Sequence, residues 1–131
     1  MILAVALSEN QGMTFNKRRL SRDRTLISDL FSFSEKRLYV TEFSRKLFPE
    51  ESVRLTNNPD ALAEDDVFFC ERAEDLPHNR ASAVIIYRWN EAYPTDARFD
   101  YDMSAYVLAE SVDFEGYSHK KITREIWKSK T

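Results

Sequence analysis

The chain has 131 residues, the size of one domain with one core. Its 19 basic and 22 acidic side chains leave a net charge of −3, which gives no general attraction to nucleic acid. It holds only 2 glycines, Gly12 and Gly116, too few and too far apart for a phosphate loop or a three-glycine dinucleotide fingerprint. One cysteine, Cys70, excludes an internal disulfide and a thiolate metal cluster, and two histidines, His78 and His119, exclude a His-rich zinc site. The apolar runs at 2–7 and 83–87 are too short to cross a bilayer and no basic leader precedes the first, so a cytoplasmic protein is expected.

In chain order, Ile2 to Leu7 is a continuous apolar run, which predicts a central strand buried on both faces. Asn10 to Gly12 carries turn residues, and a polar loop is expected to about Leu20. Ser21 is the predicted N-cap of a helix with Asp23 in its first turn. Leu26, Ile27, Leu30 and Phe31 form its apolar stripe, and it ends near Ser34. Strands are predicted at Lys36 to Thr41, Ser52 to Thr56, Val67 to Glu71 and Ala83 to Trp89, with a short helix around Phe43, Leu47 and Phe48 stopped by Pro49. The stretch Asn57 to Asp66 reads as a surface loop. Tyr106 to Phe114 and Lys120 to Trp127 flank a Gly116-containing loop as a C-terminal antiparallel hairpin, with Ile122 and Ile126 on one face of its second strand. The fold class expected is α/β: one domain over residues 1–131, a mixed, mostly β central sheet of about seven strands, one main helix and short helices.

Charge is unevenly spread. Lys17, Arg18, Arg19, Arg22 and Arg24 stand against Asp23 alone, whereas Asp60, Glu64, Asp65, Asp66, Glu71, Glu74 and Asp75 stand against Arg72. The basic stretch, with Phe15 beside it, has two readings: a surface that neutralises the phosphates of a nucleotide or RNA while Phe15 stacks on a base, or a solvated loop paired with the acidic segment. Tyr87, Trp89, Tyr93 and Phe99 read as an aromatic packing cluster around Pro94, His119 as a hydrogen-bonded surface histidine, and Cys70 as a buried inert thiol.

The two ends of the chain resemble dihydrofolate reductase. Residues 4–13 (AVALSENQGM) are similar to that family's first strand and mobile active-site loop. Residues 85–87 (IIY), 93–99 (YPTDARF), 106–111 (YVLAES) and 118–126 (SHKKITREI) are similar to its last three strands and the turn between them. The resemblance implies that fold, with Asp23 as the carboxylate that fixes a pterin ring and supports proton transfer. It also implies Ala6, Phe15, Arg19, Arg22, Ile27, Ser44 and Tyr87 as ligand-binding positions. Asp23 admits a plainer role as well, interacting with its own helix and with the neighbouring arginines. The anion sites of the family depart in sign. No glycine pair follows Val67–Glu71 or Ala83–Trp89 to receive a pyrophosphate, Thr41-Glu42 stands where a Gly-Arg pair meets a 2′-phosphate, and Pro49, Glu50 and Glu51 are acidic where a basic turn clamps the folate tail. The reading is therefore a shortened scaffold that binds a pterin- or nucleotide-like small molecule, with no NADPH cofactor, no metal and no reductase activity. The alternatives are an RNA- or nucleotide-binding module using residues 17–24, and a protein that pairs with a second copy of itself through an exposed sheet edge.

Overall fold

A computed structural model describes residues 1–34, 37–49 and 52–130. Its strands are β1 (Ile2–Leu7), β2 (Gly12–Phe15), β3 (Arg18–Arg19), β4 (Leu38–Val40), β5 (Arg54–Leu55), β6 (Val67–Phe69), β7 (Ala83–Arg88), β8 (Ala97–Arg98), β9 (Tyr106–Phe114) and β10 (Ile122–Ser129). The one α-helix among the described residues is α1 (Arg24–Ser34), and short 3-10 turns cover Arg45–Leu47, Pro59–Ala61 and Ala73–Asp75. Seven strands form the main sheet in the order β5-β4-β6-β1-β7-β10-β9. β5, β4, β6, β1 and β7 run parallel, and β7-β10-β9 are antiparallel.

The apolar run at the start of the chain is unbroken because β1 sits between β6 and β7 with a hydrophobic layer on each face. Leu3, Val5 and Leu7 enter one core with Met13, Phe68, Ile86, Phe99 and Tyr106. Ala4 enters the other with Leu26 and Leu30 of α1, Leu38, Val40, Phe69, Ile85, Tyr87 and Ile122. Alternation in the last strand divides it as the sequence suggests, Ile122 and Ile126 toward the helix side and Trp127 toward the other.

The predicted elements differ from the observed ones in several places. The polar loop before Leu20 is a hairpin: β2 and β3 pair antiparallel, β8 joins β2, and the three make a second small sheet. Its two-residue turn, Asn16-Lys17, has both residues at positive φ (51° and 63°), the geometry in which asparagine–glycine is usual. The helix begins later than expected, so Asp23 rather than Ser21 caps it. Of the aromatic residues around Pro94, Tyr87, Trp89 and Tyr93 share one core, where Tyr87 meets Phe114 and Trp89 stacks on His119, but Phe99 stacks on Tyr101 in the other. Strand β4 is shorter than the predicted Lys36–Thr41 segment, of which Lys36 lies outside the described residues. Glu50 and Glu51 also lie outside them.

Lys17→Gly is expected to raise the thermal midpoint by about 3–5 °C, because glycine occupies left-handed backbone without the Cβ–carbonyl clash. A melting curve on the single variant checks it. Strand β9 lies at one edge of the main sheet and exposes Val107, Leu108 and Val112. No helix among the described residues is long and apolar enough to cross a membrane.

Candidate functional site

The parallel strands β1 and β6 end beside the N-terminus of α1, the place where a crevice opens in such sheets. A cleft there is lined by Ala6, Arg19, Ser21, Arg22, Asp23, Leu26, Ile27, Glu71 and Trp89. Five of the eight positions that the resemblance implied therefore meet in one place: Ala6, Arg19, Arg22, Asp23 and Ile27. The cleft is nearly closed, with a volume of about 20 Å3, room for about one water molecule.

Arg19 forms part of its wall. From the small β2-β3 sheet its guanidinium reaches Glu71, just beyond β6, through Nε at 2.9 Å and Nη2 at 3.0 Å, and Nη2 also donates to the Phe43 carbonyl at 3.0 Å. Ser44 donates its hydroxyl to the same carboxylate at 2.7 Å, and Arg19 and Arg72 both lie 4.8 Å from the centre of the Phe43 ring. This is one contact of the basic stretch with the acidic segment.

Asp23 is built into the protein from several sides. Its Oδ1 accepts the backbone N–H of Thr25 at 2.9 Å, of Leu26 at 3.4 Å and of Tyr117 at 2.9 Å. Its Oδ2 accepts the Ser118 N–H at 2.9 Å, the Ser118 hydroxyl at 3.2 Å and His119 Nδ1 at 2.7 Å. One carboxylate thus caps the helix and anchors the loop between β9 and β10. Burial on its own pushes the carboxyl up, but the imidazole and the backbone donors of Ser118, Tyr117 and Thr25 outweigh it and hold the carboxyl well below its ordinary 3.8. The lowering here comes from hydrogen bonds that local sequence does not reveal. Gly116 is required at its position, since a Cβ there would sit 2.8 Å from Asp23 Oδ2 and 2.9 Å from the His119 carbonyl oxygen.

His119 is buried in the loop rather than on the surface, stacked on Trp89 with ring centres 4.6 Å apart. Its Nε2 lies 2.8 Å from Ser21 Oγ and 3.1 Å from the Tyr93 hydroxyl. Nothing in the local sequence pairs residues 98 positions apart; the signal was the Ser-His dipeptide at 118–119 taken together with the expected hairpin.

The other implied positions lie elsewhere. Tyr87 is fully buried and its hydroxyl donates to Asp29 of α1 at 2.7 Å, so it faces no cleft. Ser44 is buried beneath the Arg19–Glu71 pair. Phe15 is exposed beside the β2-β3 turn, in a recess with Arg18, Leu20, Tyr93 and Pro94. The basic stretch does not form one face: Arg18 lies with Phe15, Arg19 and Arg22 line the cleft, and Arg24 lines a different groove that Arg22 also borders.

That groove is open, about 710 Å3, and runs along the outside of α1. Ile27, Phe31, Leu47 and Pro49 give it an apolar floor, Arg22, Arg24 and Lys46 line it, and the Arg24 guanidinium lies 4.6 Å from the centre of the Tyr117 ring. It shares Arg22, Asp23, Ile27 and Leu47 with the closed cleft. On the side of the sheet where the resemblance would place a dinucleotide, β6 runs into Glu71-Arg72 and a three-residue 3-10 turn, and Thr41 and Glu42 follow β4. A depression of about 400 Å3 there is lined by Glu42, Asp60, Glu74 and Asp75 with Arg72, whose Nε is held by Asp75 at 2.7 Å. Cys70 is buried, and burial pushes its thiol far above the usual range, as an inert cysteine requires. No group of three or more metal-ligating side chains occurs among the described residues.

No family model and no curated protein matches the chain. A solved structure does: a dihydrofolate reductase from Enterococcus faecalis complexed with NADP(H) and RAB-propyl, at TM-score 0.60 and 16% identity, over 100% of this chain and 97% of that one. The likeness runs over nearly the whole of both chains. The chain has the dihydrofolate reductase-like fold.

Proposed function

We propose that the protein binds a flat, anionic, pterin- or nucleotide-like small molecule in the groove along α1, without NADPH and without reductase activity. The observation that carries this reading is the pairing of an apolar floor (Ile27, Phe31, Leu47) with Arg22, Arg24 and Lys46 around an open volume of about 710 Å3. An aromatic ring packs on the floor while its carboxylate or phosphate meets the cations. Against the cofactor stand Glu42, Glu74 and Asp75 in the acidic depression, where a pyrophosphate would meet like charge.

The test is a thermal-shift titration with pterin-6-carboxylate, adenosine 5′-monophosphate and NADPH, repeated on the double variant Arg24→Glu, Lys46→Glu. A ligand that binds only the folded state raises the midpoint by mass action, so weak binding registers. The expected result is a rise with one of the first two compounds, abolished in the double variant, and none with NADPH. A rise with NADPH accompanied by turnover of dihydrofolate, or no rise with any compound, overturns the reading.

A further inference from the structure

Ser21, His119 and Asp23 form a continuous hydrogen-bonded chain that the ligand-binding reading does not use. Asp23 Oδ2 lies 2.7 Å from His119 Nδ1, and His119 Nε2 lies 2.8 Å from Ser21 Oγ. We propose that Ser21 is a nucleophile toward small carboxylic esters, with His119 as its general base and Asp23 as the group that orients the imidazole.

Each member of the chain is held in place by its neighbours. Asp23 is fixed by backbone N–H groups of α1 and of the β9-β10 loop, so it cannot rotate away from the imidazole. The ring is clamped on its face by Trp89 and is 6% exposed. A carboxylate on Nδ1 assigns the proton to that nitrogen, which turns the Nε2 lone pair toward Ser21. A serine with a base in hydrogen-bond reach, and that base oriented by a third group, is the general arrangement of an activated nucleophile. A carboxylate serving only as a helix cap needs no imidazole, and a buried imidazole serving only as filler needs no serine at the edge of a cleft. Ser21 is half-buried and lines the closed cleft together with Arg19 and Arg22, cations that favour the oxygen becoming negative on attack. The cleft has room for about 20 Å3, so only the reacting carbonyl enters and the rest of an ester stays outside.

The step balances within the three residues and one ester. The Oγ–carbonyl carbon bond forms as the Ser21 proton passes to Nε2. The carbon–alkoxide bond then breaks, and the leaving oxygen takes that proton away as an alcohol. Water repeats the sequence on the acyl-serine, giving the free acid and restoring Ser21. The Tyr93 hydroxyl, 3.1 Å from Nε2, competes with Ser21 for the same lone pair.

The inference does not depend on the groove reading, and an uncharged probe separates the two. The native protein is treated with an uncharged alkyl fluorophosphonate and the adduct is located by peptide mass spectrometry. Phosphorus–oxygen bond formation at Ser21 expels fluoride while Nε2 takes the proton. The expected result is one adduct, on Ser21, absent in Ser21→Ala and formed at least 100-fold more slowly in His119→Gln. p-Nitrophenyl acetate is expected to release a burst approaching one nitrophenolate per chain. Tyr93→Phe, which keeps the ring in place, is expected to label at least as fast as the native protein, and it keeps the inference testable if His119→Gln does not fold. No adduct, an adduct on another residue, an undiminished rate in folded His119→Gln, or slower labelling of Tyr93→Phe overturns it.

Discussion

Asp23→Asn is expected to lower the unfolding free energy by about 3–5 kcal/mol at neutral pH, the range for removing one partner of a buried charged network. The amide keeps the shape of the side chain but presents an NH2 group to donors that are already committed to a carboxylate. Oδ2 alone receives the Ser118 N–H, the Ser118 hydroxyl and His119 Nδ1. Whichever oxygen becomes nitrogen, two or more donors lose their acceptor in a site where the side chain has no exposure. The same group sets the acid limit of the fold. Its carboxyl is held below the ordinary 3.8 in the folded state, so its contribution is complete above the unfolded value and is lost as pH falls through and below about 4. Denaturant unfolding between pH 7 and pH 2.5 is expected to show native stability dropping steeply below pH 4, with a flatter profile for Asp23→Asn. A variant within about 0.5 kcal/mol of native at pH 7 would mean that the carboxylate network does not hold the helix to the loop.

The main strands and the helix were legible because they obey local rules: unbroken apolar runs for buried strands, helical spacing from Leu26 to Phe31, alternation in β10. The β2-β3-β8 sheet was not, since its strands are two to four residues long and its turn uses Asn16-Lys17 where glycine is the usual signal. The site divided along the same line. Asp23 was readable from its place in the helix, but its partners come from residues 117–119, and no periodicity joins segments so far apart. Ser44 and Tyr87 illustrate the converse. Their sequence positions fit a ligand site, yet each hydroxyl is spent on a carboxylate, Glu71 or Asp29, that only the folded chain brings near. The Arg19–Glu71 contact in the cleft wall was also invisible, because it crosses from the hairpin to the end of β6.

Asp29→Ala is expected to cost about 3 kcal/mol, whereas Tyr87→Phe costs about 1 kcal/mol. The difference follows from what each change abandons. Asp29 Oδ2 accepts the Tyr87 hydroxyl at 2.7 Å, and Oδ1 accepts Arg124 Nη1 at 2.7 Å. Burial of Arg124 works against its charge, but Asp29 and Glu110 more than offset this, and the guanidinium lies over the Phe33 ring. Its side chain is 12% exposed, and its Nε already has no partner among the described residues. Removing Asp29 strips the tyrosine hydroxyl and one guanidinium nitrogen together, leaving Glu110, itself 48% exposed, to balance the cation alone. Removing only the Tyr87 hydroxyl leaves the Asp29–Arg124 pair whole and the ring packed against Phe114. Double-mutant cycles on Asp29 and Arg124, measured by urea unfolding, are expected to give a coupling of about 1–3 kcal/mol, because a change at one end of a charged contact alters the cost at the other. Tyr87→Phe serves as a control for the groove as well: its ring faces the core, so any compound that raises the native midpoint is expected to raise the variant's by the same amount. A lost ligand response in folded Tyr87→Phe would place the binding site on the wrong side of α1.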